Sequence, residues 1–165
     1  IIPPLAPGDI RIVPLGGVEQ IGQNMTAIEF RDQIVVIDAG IQLGDNGPGI
    51  QYAIPDTHYL EERKHMVKAM VITHGHLDHI GAIPFVMEKM GNPPIYTREF
   101  GALLISKRQE EYPHLPPLDV RIIEKDEGSV KLSEDFKVKF FGLTHSIPDS
   151  TGVIIETPYG DIVST

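Results

Sequence analysis

The 165-residue sequence contains no cysteine. That excludes a disulfide framework and any thiolate metal site, and it fits a cytoplasmic setting. No apolar run approaches membrane-spanning length and no signal peptide is visible, so no membrane partner is expected. Nothing repeats at a solenoid-like period, and no low-complexity tract interrupts the chain. Basic residues are scarce, with 14 Lys and Arg against 23 Asp and Glu for a formal charge of -9. This balance disfavours a broad nucleic-acid surface on this stretch. Metal ions facing some of those carboxylates would reverse the local field, so charge alone is weak evidence.

What is present fits one domain with a sizeable core. Residues 1–9 read as a Pro-rich N-terminal arm and residues 10–165 as a single domain. A strand is expected at 10–14. A hairpin follows at 25–30 and 33–37, joined by Arg31-Asp32. Its second arm, Ile34-Val35-Val36-Ile37, is apolar throughout, which suits a strand covered on both faces. Residues 46–55 read as a Gly/Pro-containing loop and 56–65 as a short helix before a strand at 69–72. The spacing predicts one helix over 79–90, stopping at Gly91, with Pro84 near its start. A short strand at 95–96 leads to Thr97, expected to cap a helix through about Glu111. Strands follow near 120–123, 130–132 and 137–143. A final hairpin, 152–156 and 161–164, turns at Pro158-Tyr159-Gly160. The fold class is α/β, a mixed β-sheet with flanking helices and more strand than helix.

Four metal-binding side chains fall within six residues at His74-Gly75-His76-Leu77-Asp78-His79, directly after the apolar run Met70-Val71-Ile72. Three imidazoles and a carboxylate this crowded call for a cation between them, and zinc suits both donor types. Side chains two apart in an extended loop point the same way, so His74 and His76 are expected on one metal. Asp78 and His79 open the following helix and lean toward a neighbouring position. A third ligand for the first metal must come from elsewhere, and His145 is the best candidate. Taken alone, Asp38 reads as a turn residue and His145 as a loop histidine. Each, however, follows an apolar strand, as His74 does, and polar groups at strand ends can converge on one rim. Asp38 is then an outer acceptor fixing a ligand imidazole's tautomer. Asp149 has either a similar role beside His145 or a turn role.

Several other features carry less. Gly16, Gly17 and Gly22 lack dinucleotide-fingerprint spacing. Glu19 and Asn24 either line the site or, the favoured reading, are solvated loop residues. His58, His65 and His114 read as exposed histidines, and Lys64, Lys68, Lys107 and Arg108 as a solvated helix face.

The set Asp38, His74-x-His76-x-Asp78-His79 and His145 resembles the metallo-β-lactamase superfamily. Within it, residues 16–25, 73–81 and 144–150 resemble the ribonuclease J family of the β-CASP group, and the likeness covers almost the whole chain. That resemblance implies a four-layered αββα sandwich, present here only in part. It implies two zinc ions and a metal-bound hydroxide that attacks an RNA phosphodiester, with 5′-to-3′ exonuclease and endonuclease activity in RNA processing and mRNA decay. His74, His76 and His145 would hold the first zinc, and Asp78 with His79 the second. Asp78, able to accept a proton as well as hold metal, and His76 are expected to serve the chemistry most directly. The family's bridging aspartate would follow the strand at 162–164, where this chain stops at Thr165, and the β-CASP insertion and a later histidine are also absent. The resemblance therefore implies the first part of a larger nuclease, with RNA as the partner of the whole enzyme and at most one well-bound zinc in this piece. Little or no nuclease activity is expected from the piece alone. A half-sandwich is expected to leave apolar surface bare where a partner sheet belongs, which favours a homo-oligomer. The rival readings are a thioester hydrolase of the glyoxalase II type on the same fold, and a non-catalytic binding domain.

Overall fold

The apolar stretches of the first forty residues form a three-stranded meander in the computed structural model, which describes residues 2–44, 47–124 and 128–165. Strands β1 (Ile10–Gly16), β2 (Met25–Phe30) and β3 (Gln33–Ile37) pair antiparallel. The tight β2–β3 turn puts Arg31 at a φ of 54°. A small antiparallel pair, β4 (Gln42–Leu43) and β5 (Tyr52–Ala53), follows. The loop expected over 46–55 therefore contains a strand, and its residue 46 lies outside the described residues. Helix α1 (His58–Glu61) leads into β6 (Val67–Val71), which adds to β3 in parallel. Strands β7 (Ile95–Thr97) and β8 (Val120–Ile122) extend the parallel side. The first sheet thus runs β1-β2-β3-β6-β7-β8.

A second, antiparallel sheet is built from β9 (Ser129–Ser133), β10 (Phe136–Gly142), β11 (Thr151–Thr157) and β12 (Gly160–Ser164), in the order β12-β11-β10-β9. The two sheets stack. Ile28, Phe30, Val35, Ile37 and Val71 from the first meet Phe136, Val138, Phe140, Val153 and Ile155 from the second in one core. Phe30 and Phe136 anchor it, their ring centroids 5.7 Å apart. The alternate residues Ile34, Val36, Met70 and Ile72 face the helices in a separate core. Strand β3 is therefore buried on both faces, as its unbroken apolar run predicts. A bare apolar face was the expectation for a half-sandwich, and the structure corrects it: the second sheet is present and covers the first. Among the described residues no helix is long and apolar enough to cross a membrane.

The helix expected over 79–90 is instead three short pieces, α2 (Leu77–Ile80), α3 (Ile83–Val86) and a 3-10 turn (Glu88–Met90). The carbonyl groups a continuous helix would use are taken elsewhere. Asp78 O accepts from Asn24 N–H at 3.1 Å, and His79 O accepts from Ala39 N–H at 2.7 Å. Pro84 has no N–H to offer Ile80. Helix α4 (Glu99–Glu110) has Arg98, in an extended conformation, at its N-cap position in place of Thr97, with no side-chain cap hydrogen bond. Thr97 stays in β7, where its hydroxyl reaches Ile72 O at 3.4 Å.

Candidate metal centre

The His-rich segment leaves the C-terminal end of β6 beside the C-terminal end of β3, the position where parallel strands present polar groups to a ligand. Residues 38–41 lie against it as a backbone clamp. Ala39 N–H donates to His79 O, Ile41 N–H to Leu77 O, and Ala82 N–H to Ala39 O at 2.7, 3.0 and 2.8 Å. Gly40 permits this approach, since a Cβ there would sit 1.5 Å from Asp78 O. The glycine after Asp38 thus has a packing reason beyond a turn.

Three imidazoles from distant stretches of the chain come together. One ligand nitrogen from each of His74, His76 and His145 lies within 4.8 Å of the others. Nε2 of His74 stands 3.1 Å from Nδ1 of His76. The His145 ring lies 4.6 Å from that of His74 and 5.0 Å from that of His76, centroid to centroid. His145 reaches them from the segment between β10 and β11. Leu143 N–H closes that segment on Ser150 O at 2.9 Å. Thr151 then fastens it to the motif, donating N–H and hydroxyl to Thr73 O at 3.0 and 2.9 Å.

Asp38 is buried at the rim, at a φ of 60°. Its Oδ1 accepts Thr73 N–H at 2.8 Å, and its Oδ2 lies 2.7 Å from Nδ1 of His79. Nε2 of His79 is left toward Asp78 Oδ2, 3.5 Å away. The two neighbouring histidines are driven in opposite directions. Burial, then the charge of His79, push His74 down to about 4, against the pull of Asp38. For His79 burial also opposes charging, but the hydrogen bond and charge of Asp38, with Asp78, outweigh it and raise the pKa. His74 is therefore a neutral imidazole at neutral pH, the form that binds metal.

Asp149, at a φ of 59°, accepts Phe100 N–H at 3.2 Å, tying the His145 segment to the head of α4. Asn24 is not the solvated loop residue that its neighbours in sequence suggest. Its Nδ2 lies 3.0 Å from Asp78 O, 3.3 Å from Asp78 Oδ2 and 3.3 Å from Nε2 of His79. No spacing in the sequence marks this contact across 54 residues. Arg108 is likewise not part of a solvated face, since it packs over the Tyr112 ring at 5.2 Å and donates to Gly81 O. His58 remains at the surface, 3.5 Å from Glu62. A cavity of about 460 Å³ opens over the centre, lined by Asp38, Thr73, His74, His79 and His145, with Gly16, Gly17 and Ser164 among the residues completing its wall.

Two stacked sheets thus carry a histidine triad and an Asp-His pair at one rim. The chain belongs to the metallo-beta-lactamase superfamily, whose family model matches residues 18–165. Solved structures agree on the fold. The Rm3 metallo-beta-lactamase aligns with a TM-score of 0.57 at 17% identity, covering 92% of this chain and 60% of that one. A protein of unknown function from Enterococcus faecalis aligns at 0.65 and 17% identity, covering 92% of this chain and 42% of that one. In sequence, the chain is similar to ribonuclease J of Corynebacterium glutamicum, 38% identical over 99% of this chain and 22% of that protein. Ribonuclease J of Thermus thermophilus is 40% identical over 94% of this chain and 28% of that protein. Ribonuclease J 1 of Streptococcus pyogenes is 40% identical over 98% of this chain and 28% of that protein. The chain thus spans 22% to 28% of the length of these three relatives.

Proposed function

We propose that this chain carries the metal-binding part of the active site of a zinc-dependent ribonuclease of the β-CASP group, acting on RNA in the cytoplasm as a 5′-to-3′ exonuclease and endonuclease. The observation that carries this reading is the convergence of His74, His76 and His145 to within 4.8 Å in a chain resembling ribonuclease J along nearly its whole length. The donor set fits the metal: three imidazoles with no thiolate, one of them held neutral, would hold a zinc ion and leave room for a further ligand. His74, His76 and His145 would hold one zinc, and Asp78 and His79 would contribute to a second. Zinc at such a site supplies Lewis-acid polarisation of a phosphoryl oxygen and acidifies a water toward neutral pH.

The chain's own residues hold and orient. Asp38 engages Nδ1 of His79 and leaves Nε2 beside the Asp78 carboxylate, which Asn24 holds. Asp78, half-buried, is placed to accept a proton during hydrolysis. The experiment is a pair of assays on the full-length protein, one with 5′-monophosphorylated RNA and one with a thioester. RNA cleavage that is lost in His76→Ala supports the reading. Thioester hydrolysis without RNA cleavage would replace it with a small-molecule hydrolase.

A further inference from the structure

We propose that Thr73 is a positioning residue of this centre: its hydroxyl links Asp38 to His74, so that one buried carboxylate fixes an imidazole of each metal position. The inference rests on the reading of His74 and His79 as ligands and extends it to a residue outside that ligand set.

Thr73 Oγ1 lies 2.8 Å from Oδ2 and 3.1 Å from Oδ1 of Asp38. It also lies 3.0 Å from Nδ1 of His74. A hydroxyl has one hydrogen to give, and an ionised carboxylate can only accept. Asp38 already receives Thr73 N–H on Oδ1 and faces Nδ1 of His79 with Oδ2, so it acts as the acceptor at this crossing. If the Thr73 hydrogen went to His74 instead, both carboxylate oxygens would face hydroxyl lone pairs at 2.8 to 3.1 Å, a repulsive arrangement in a buried place. The hydroxyl therefore donates to Asp38 and accepts from His74, whose Nδ1 carries the hydrogen. Nε2 of His74 is left bare, and Nε2 is the atom that faces Nδ1 of His76 at 3.1 Å within the triad.

Thr73 is itself held from both sheets. Its N–H is bound by Asp38 after β3, and its carbonyl takes two hydrogen bonds from Thr151 at the start of β11. The hydroxyl is thus a fixed point and not a rotor, which is what orienting a ligand imidazole requires. The same carboxylate reaches His79 directly and His74 through one hydroxyl.

The test uses the zinc-free chain labelled with 15N at histidine. Long-range proton–nitrogen correlation spectra report which ring nitrogen of His74 carries hydrogen, with His74→Gln giving the assignment. The expected result is hydrogen on Nδ1 in the wild-type chain and in Thr73→Ser, and a mixture of tautomers in Thr73→Val. Zinc titration against a competing chelator is expected to weaken roughly tenfold in Thr73→Val and to stay within about twofold in Thr73→Ser. A wild-type His74 protonated at Nε2 would overturn the link through Thr73 while leaving the metal centre standing. Thr73→Val with the wild-type tautomer and affinity would overturn it equally. Absence of zinc binding by the wild-type chain would overturn the metal reading together with this one.

Discussion

Nδ1 of His79 stands 2.7 Å from Oδ2 of Asp38, although 41 residues separate them. An imidazole donating from Nδ1 to a buried carboxylate keeps Nε2 free as a ligand. Asp38→Asn retains the shape but replaces one acceptor oxygen with an NH₂ donor. Zinc affinity is expected to fall roughly tenfold to a hundredfold. A competition titration with a chromophoric chelator measures it, and unchanged affinity would remove Asp38 from the account.

Gly40 has no room for a side chain. A Cβ would meet Asp78 O at 1.5 Å and Asp78 C at 2.1 Å, and backbone cannot swing aside as a flexible side chain can. Gly40→Ala is expected to cost about 3 kcal/mol or more, beyond ordinary overpacking, and to displace the His-rich segment. Chemical denaturation gives the stability change. A variant as stable as the wild type would show that the clamp of 38–41 against 77–82 is looser than described.

The two sheets are joined chiefly through the core around Phe136, which is fully buried against Phe30. Phe136→Ala is expected to destabilise by about 3–5 kcal/mol. Because the second sheet delivers His145, the same variant should weaken zinc binding in proportion to the loss of folded protein. A melt followed with and without zinc separates the two effects.

Away from the centre, Tyr59 and Arg11 share the buried carboxylate of Glu29, with Arg11 Nη1 2.9 Å from Glu29 Oε2 and the Tyr59 hydroxyl donating to the same oxygen. Burial, reinforced by Glu29, raises the phenol's pKa above its usual 10 despite the opposing pull of Arg11. A group whose folded pKa is raised contributes stability that is complete below its unfolded value. That stability is lost as pH climbs through the folded one. Stability should therefore decline above pH 10, and Tyr59→Phe should lack that component. Alkaline denaturation of both proteins, with phenolate absorbance as the local signal, checks the sign.

Much of the fold is legible in the sequence where local pattern and tertiary demand coincide. The β2–β3 hairpin and the final β11–β12 hairpin fall where alternation and turn residues place them. The histidine cluster is legible because four potential ligand side chains within six residues serve no ordinary structural purpose, and His145 because it follows a strand as His74 does. Pattern fails where another segment intervenes. The 79–90 helix is interrupted because Asn24 and Ala39 take carbonyl groups that a helix needs. Thr97 has the chemistry of a cap but belongs to β7. Asn24 and Thr73 are common polar residues whose importance arises from what the chain brings to them across 35 to 55 positions of sequence.

The most direct measurement is calorimetric titration of zinc into this chain and into His145→Ala. One tightly bound ion per wild-type chain is expected, with at least a hundredfold weaker binding in the variant, which retains only two imidazoles of the triad. Equal binding by the two proteins, or two tight ions on the wild type, would contradict that expectation.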